Sequence, residues 1–136
     1  SIRTVVNSKP FYLPITDLGD GLLRVLVMIL LIEYLKPTIL IIDDIETTFN
    51  IITLKKFIKY ILTYPSIKQI VLTTQSIETL LAISEFRIRG VNVMILNMSS
   101  DNILHYNLLT LEDALDYLEK GLDIRILPVG AVYGSR

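Results

Sequence analysis

Continuous apolar runs and helical apolar stripes alternate along this chain. Runs at residues 38–42, 69–74 and 91–96 are typical of strands that are buried on both faces of a parallel sheet. Between the first two runs, apolar residues with i, i+3, i+4 spacing predict an amphipathic helix that Thr53 caps. This stripe consists of Leu54, Phe57, Ile58, Ile61 and Leu62. Strands that alternate with helices predict the α/β class with a largely parallel sheet.

The N-terminal part of the chain predicts a strand, a loop and a long helix. Residues 2–6 form a short β-branched run typical of a strand, whereas residues 8–16 contain two prolines and are interpreted as a loop. The helix follows a Gly-rich stretch and runs to about Leu35, where Lys36 and Pro37 end it. Because it is apolar nearly all round, we expect it to be buried.

The C-terminal half carries recognisable helix caps. Ser76 is predicted to cap a helix over residues 77–86. Residues 102–107 predict a short edge strand. Thr110 then caps a last helix, with Asp113 placed for a capping box, and Gly121 closes that helix. Residues 122–136 look irregular.

Length and hydropathy favour one soluble domain over residues 1–136. About half of the 136 residues are apolar and the mean hydropathy is +0.54, which argues against disorder. The longest uninterrupted apolar run, residues 25–32, has eight residues, whereas a spanning helix needs about 20. We therefore predict a cytoplasmic protein without a membrane span.

The charged and reactive residues exclude several kinds of chemistry. The absence of Cys removes disulfides, thiolate nucleophiles and Cys-ligated zinc, and a single His disfavours multi-His metal sites. A formal net charge of −1 gives no basic footprint for nucleic acid, so a nucleic-acid partner has no support here. Lys55, Lys56 and Lys59 lie off the apolar stripe and are interpreted as a solvated helix face.

Three polar stretches can carry chemistry, and each also has a purely structural interpretation. Asp43 and Asp44 follow an apolar strand, where one carboxylate can hold Mg²⁺ and the other can accept a proton from water, or where both are loop or cap acids. Residues 73–76 end the next strand. Gln75 can orient a water or a phosphate oxygen there, whereas the structural interpretation is that Ser76 caps the following helix. Residues 17–21 can expose backbone N–H groups to an anion, or can form a turn with an Asp cap.

In order and spacing, these stretches resemble the C-terminal part of an ABC-type ATPase domain, in the branch of SMC-like, OLD-like and related AAA ATPases. The signature motif corresponds to Leu18, Gly19, Asp20 and Gly21. Walker B corresponds to residues 39–44, followed by Glu46, and the switch motif to residues 73–76. Residues 117–125 also look like the tail of that branch, so the resemblance covers residues 15–125.

The resemblance implies a partial three-layer, mostly parallel P-loop NTPase-like sheet, with ATP and Mg²⁺ as cofactors. Asp43 would hold Mg²⁺, Asp44 would be the general base and Gln75 would sense the γ-phosphate. The signature residues would act in trans on the nucleotide of a second ATPase domain in a head-to-tail dimer. The chain contains no Gly-Lys pair and therefore no Walker A. In the family, the Walker A strand lies between the strands that correspond to residues 69–74 and 91–96.

Two motif residues depart from the family pattern, because Asp44 replaces the usual Glu and Gln75 the usual His. Because Walker A is absent, we expect the chain to be a piece of a longer protein, a partner of a separate Walker A lobe, or a degenerate relative. Three functions stay open. The leading function is ATP hydrolysis once a Walker A segment completes the domain. A non-catalytic interaction or regulatory domain of the same fold is the alternative. A receiver-like domain phosphorylated at Asp43 or Asp44 comes third.

Overall fold

The computed structural model describes residues 2–6, 9–14, 19–47 and 49–127. The chain forms two compact units, Ser1–Ile83 and Ser84–Arg136, and each is described by itself. The interpretation of residues 1–136 as one domain stays a prediction.

The first unit opens with an antiparallel hairpin of β1, Ile2–Val6, and β2, Lys9–Leu13. The prediction of β1 is confirmed, but the predicted loop over residues 8–16 is wrong at β2. Pro10 lies opposite Val5 within this pair. Proline is tolerated on edge strands, and both strands of a two-stranded sheet are edges, so Pro10 does not prevent pairing.

Helix α1, Asp20–Leu35, ends where the sequence predicts. Lys36 adopts a left-handed conformation with φ of 46°, and its N–H donates to the carbonyl of Ile32. The expected burial is wrong, because only Val25 and Ile32 are buried. Its large exposed apolar side chains are Leu22, Val27, Leu30, Leu31, Tyr34 and Leu35. An apolar surface is buried only where a packing partner lies against it, and in the described chain α1 has partners along one side.

Strands β3, Ile39–Ile42, and β4, Gln69–Leu72, pair in parallel, and α2, Ile51–Thr63, connects them. Both strands were predicted, but burial on both faces was not borne out. Ile42 is buried, whereas Ile41 is 70% exposed.

The apolar stripe of α2 forms the core of this unit. Four of its five predicted members are buried, and Leu62 is 37% exposed. Phe57 also stacks on Phe49 at a centroid distance of 4.8 Å. The cap is Asn50 rather than Thr53, because the Asn50 side chain accepts a hydrogen bond from the Thr53 N–H at 2.9 Å. The helix therefore begins earlier than the apolar stripe.

Glu33 ties α1 to α2 through two tyrosines. Its Oε1 accepts from the Tyr60 hydroxyl at 2.8 Å, and its Oε2 accepts from the Tyr64 hydroxyl at 3.0 Å. Burial, followed by the hydrogen bond to Glu33, raises the pKa of Tyr60 to about 12. The phenol therefore stays a donor at neutral pH and the two helices stay linked.

Helix α3, Ile77–Ser84, follows β4 and begins at the predicted cap. The Ser76 hydroxyl accepts from the Thr79 N–H at 3.3 Å. The helix ends two residues earlier than predicted.

The second unit is a hairpin with a helix behind it. β5, Asn92–Met98, pairs antiparallel with β6, Leu104–Thr110, and α4, Leu111–Glu119, follows directly. The predicted edge strand at residues 102–107 lies too early, because Asn102 belongs to the turn and has φ of 61°. The capping box of Thr110 and Asp113 is confirmed.

The two faces of this hairpin differ sharply. One face, with buried Ile95 and Leu109, belongs to the core that also includes Ala114 and Ile124. The opposite face, here called the open apolar face, carries three cross-strand pairs of apolar side chains that are each at least half exposed. These pairs are Met94 with Leu108, Leu96 with Tyr106, and Met98 with Leu104. Such a contiguous patch is unusual on a free surface.

The end of α4 agrees with the sequence prediction that Gly121 closes this helix. Gly121 follows α4 with φ of +76°, a conformation that glycine adopts without steric cost. Residues Ile124–Ile126 form a 3₁₀ turn, and residues 128–136 of the predicted irregular tail lie outside the described ones. No helix in the described part of the chain is long and apolar enough to cross a membrane.

The α2 stripe can be tested by comparing two adjacent positions. Ile61 is 1% exposed and Leu62 is 37% exposed. We expect Ile61→Ala to lower the free energy of unfolding by about 2 to 5 kcal/mol through lost burial and a cavity. Leu62→Ala should cost clearly less, because solvent already reaches that side chain. Urea denaturation measures both, and equal losses would contradict the assignment of the buried face.

Candidate functional site

Two polar stretches meet where β3 and β4 end, because the two strands are in register to their last residues. Ile42 lies opposite Leu72. The ladder continues past the strands, since the Thr73 N–H donates to the Ile42 carbonyl at 3.0 Å and the Ile45 N–H donates to the Thr73 carbonyl at 3.2 Å. The acids after β3 therefore lie directly beside the threonine after β4.

The Thr73 hydroxyl contacts both acids. It donates to Oδ1 of Asp43 and accepts from the backbone N–H of Asp44 at 2.8 Å. One side chain thus connects the two consecutive carboxylate residues to the neighbouring strand.

Asp44 has a left-handed backbone conformation with φ of 44°. Its carbonyl accepts from the Thr47 N–H at 3.0 Å and from the Thr47 hydroxyl at 2.8 Å, at the start of the 3₁₀ turn Ile45–Thr47. Aspartate and asparagine tolerate this conformation better than most residues, because their short polar side chains bond locally. The departure from glutamate at position 44 therefore has a local structural reason.

Glu46 links this turn to the switch stretch. Its Oε1 accepts from the Gln75 N–H at 2.6 Å. Burial raises the pKa of Glu46, but the Gln75 N–H and further donors nearby outweigh burial, so that the pKa lies below its ordinary value. Oε2 is buried and has no hydrogen-bond partner among the residues that the structure describes. The carboxylate therefore stays ionised at neutral pH and holds the backbone of Gln75.

The switch stretch itself turns directly into α3. The Ser76 N–H donates to the Thr74 hydroxyl at 3.0 Å, and the Ser76 hydroxyl donates to Glu78 Oε2 at 2.7 Å. The Gln75 side chain is exposed. The backbone is thus fixed on both sides of an amide that solvent can reach.

The glycine stretch lies on a separate element, at the start of α1. Gly19 is the N-cap residue, and its carbonyl accepts from the N–H groups of Leu22 and Leu23 at 2.9 and 3.1 Å. No side chain caps this end, and a Cβ built on Gly19 would meet nothing within 4 Å. Asp20 is exposed in the first turn, so the helix start is open to solvent.

Gly21 is also exposed, and Leu18 lies outside the described residues. Gly21 lines an open cavity of about 240 Å³ with Phe49, Asn50 and two further residues. The sequence-predicted site residues thus occur in two places. Asp43, Asp44 and Gln75 come together through Thr73 and Glu46, whereas the signature residues begin α1.

Sequence reasoning missed the roles of Thr73 and Thr47. The contact of Thr73 follows from the strand register, which the apolar pattern alone does not specify. Two strands that end in step bring the first polar residues after each strand side by side, so Thr73 lies against Asp43. The pattern gave no signal for Thr47 either, because its contact depends on the left-handed turn at Asp44.

The donor set fits a hard cation that uses few protein ligands. The described part of the chain holds no group of three or more Asp, Glu or His side chains arranged around a metal position. Mg²⁺ usually binds through one or two carboxylates, waters and substrate phosphates. The exposed carboxylate of Asp43 suits that mode, and a site built entirely from protein ligands does not occur in the described residues.

Residues 1–82 match a family described as "AAA domain, putative AbiEii toxin, Type IV TA system". The chain belongs to this family. It is therefore an ATPase-family domain, and its motif order agrees with a P-loop ATPase. No curated protein matches the sequence.

A structure from work on ATP-driven dimerization and DNA-stimulated activation of SMC ATPases is similar to this AAA domain. The TM-score is 0.57 at 18% sequence identity, and the match covers 82% of this chain and 64% of that chain. At this identity the likeness shows the fold alone, and it confirms the predicted α/β class. The chain spans less than two thirds of that protein's length.

The Glu46–Gln75 contact predicts a pH-dependent contribution to stability. Because the folded pKa lies below the ordinary value of 4.5, the stabilisation is present above that pH and is lost as the pH falls through the folded pKa. We expect Glu46→Gln to lower the free energy of unfolding by about 1 kcal/mol at pH 7. The difference from the parent should shrink below pH 4.5.

Urea denaturation at a series of pH values measures this difference. Glu119→Gln, at an exposed position on α4, is the matched control. A difference that stays constant down to the acid limit would contradict an ionised Glu46 as the acceptor.

Proposed function

We propose that this AAA domain is the C-terminal lobe of an ABC-type ATPase and contributes to Mg²⁺-ATP binding and hydrolysis when a Walker A segment completes it. The carrying observation is the cluster at the ends of β3 and β4, where Asp43 and Asp44 lie against Thr73 and Glu46 holds Gln75. The family membership and the P-loop type fold support the same assignment.

Asp43 is the proposed Mg²⁺ ligand. Its carboxylate is exposed, and the Thr73 hydroxyl occupies Oδ1, so Oδ2 is the oxygen available to the ion or to its water. Held there, Mg²⁺ would supply positive charge that offsets the negative charge developing during phosphoryl transfer. The task of Asp43 is to hold the ion from the protein side.

Asp44 is the proposed general base, and Gln75 is the proposed γ-phosphate contact. Asp44 is half-buried, with its backbone fixed at both N–H and carbonyl, so its carboxylate starts from a defined position. It accepts a proton from the attacking water. Gln75 donates an amide hydrogen bond to a phosphate oxygen, although it cannot supply the positive charge of a protonated His.

The signature residues act in trans in this proposal. Leu18, Gly19, Asp20 and Gly21 contact the nucleotide of a second ATPase domain in a head-to-tail dimer. The uncapped N–H groups at the start of α1 suit an anionic phosphate. The similar structure comes from work that names ATP-driven dimerization of SMC ATPases, which supports a dimer as the working form.

The Walker A segment has a place to add on β4. In the described chain β4 pairs only with β3, so its other edge offers unpaired N–H and carbonyl groups. A strand that leads into Walker A completes that edge and brings the phosphate-binding loop to the end of the sheet where Asp43 lies.

A second candidate is a non-catalytic interaction or regulatory domain of the same fold. The open apolar face of β5 and β6 favours it, because contiguous exposed apolar surface marks interaction sites. In that case the acids would serve the structure alone.

The two candidates differ in ATP turnover. We expect the chain, combined with its Walker A-bearing segment, to bind and hydrolyse ATP in a Mg²⁺-dependent reaction. Asp44→Asn should lower kcat by about 10²- to 10⁴-fold, the range for loss of a general base, while ATP binding persists. Asparagine suits this test because it tolerates the left-handed backbone of Asp44. Steady-state phosphate release and nucleotide titration measure the two quantities.

Lys56→Ala, on the exposed side of α2, is the control that should leave turnover unchanged. Absence of ATP binding in the completed protein would reject the ATPase proposal and leave the interaction domain. Duplex DNA added to the same assay asks whether the DNA stimulation named for the SMC ATPases also occurs here.

A further inference from the structure

We propose that Thr73 is the positioning residue for both acids, an inference that rests on the proposed function. Its hydroxyl contacts both the side chain of Asp43 and the backbone N–H of Asp44. Thr73 belongs to the switch stretch of residues 73–76, but the resemblance gives a role only to Gln75 in that stretch and assigns Thr73 no contact with the acids.

The directions of the two hydrogen bonds carry the argument. A threonine hydroxyl has one proton to donate and lone pairs to accept. The Asp44 N–H occupies a lone pair at 2.8 Å, which turns the hydroxyl proton toward Oδ1 of Asp43. Asp43 is then held in one orientation, with Oδ2 directed away from the hydroxyl. A metal-ligating carboxylate is oriented by such neighbours in proteins generally.

The same hydroxyl also stabilises an unfavourable backbone. The left-handed conformation of Asp44 costs free energy, and persists only when its surroundings hold it. Thr73 holds the N–H side and Thr47 holds the carbonyl side. Loss of the Thr73 hydroxyl leaves Asp44 fixed at one end, so the carboxylate of the proposed base loses its defined position.

The backbone position of Thr73 does not depend on its hydroxyl. Its N–H and carbonyl bond to Ile42 and Ile45 through the extended ladder. Substitution by Val preserves the β-branched shape and these backbone bonds while removing the hydroxyl. Substitution by Ser preserves the hydroxyl and removes the methyl group.

The experiment compares Thr73→Val, Thr73→Ser and Thr73→Ala in two measurements. The first is hydrogen exchange of the Asp44 amide by NMR, in the chain without nucleotide or metal. We expect at least tenfold faster exchange in the Val and Ala variants and near-parent exchange in the Ser variant. Thr63→Val, which removes a hydroxyl on α2 that bonds to the Lys59 carbonyl, is the control and should leave Asp44 unchanged.

The second measurement is the Mg²⁺ concentration for half-maximal ATP hydrolysis in the completed ATPase. We expect an increase of about 10- to 100-fold for Thr73→Val, with Thr73→Ser near the parent. An unchanged Asp44 exchange rate in the Val variant would overturn the proposal. So would an unchanged Mg²⁺ requirement, or a Ser variant as impaired as the Val variant. If the completed parent protein hydrolyses no ATP, the proposed function fails, and the exchange measurement still decides whether Thr73 positions the acids.

Discussion

The parallel hydrogen bonding between β3 and β4 determines the geometry of the candidate site. Because the two strands end in register, each residue that follows one strand has a defined neighbour after the other. A slip of one residue would move Thr73 away from Asp43 and would turn the alternating side chains to the opposite face. Helix α2, which carries the buried stripe, connects the two strands in the chain.

The described hydrogen bonds to carboxylates in this cluster come from neutral donors. The Thr73 hydroxyl and the Gln75 N–H donate to carboxylates, and Asp43 and Asp44 stay accessible to solvent in part. Hydrogen bonds to a charged acceptor are stronger than neutral ones and do not cancel its charge. Donors of this kind place no positive charge that would oppose the approach of a divalent cation.

The sequence predicted the elements that depend on local chemistry and the motifs at strand ends. The Thr110 capping box and the α2 stripe were predictable because they require only residues close in the chain. Asp43 and Gln75 were proposed from residue type and spacing, and their roles stay predictions. The contacts of Thr73 and Glu46 needed the strand register, which periodicity alone does not specify.

The errors share one cause, which is that the sequence pattern does not show which element lies beside which. Strand β2 was missed because Pro10 argues against a strand unless its edge position is known. Burial of α1 and of β3 was overestimated, because apolar residues indicate that a surface requires cover but not which element covers it. Ile41 and the side chains of the open apolar face are apolar, as core residues are, but they are exposed to solvent.

The backbone conformation of Asp44 has a consequence for conformational entropy. Aspartate has one rotatable bond fewer than the glutamate usual at this position, so fewer rotamers are lost when the carboxylate is ordered. The shorter side chain extends from a left-handed backbone that hydrogen bonds to Thr73 and Thr47 hold. The backbone that carries this carboxylate is therefore set during folding, and one fewer side-chain bond is left to be ordered when a ligand binds.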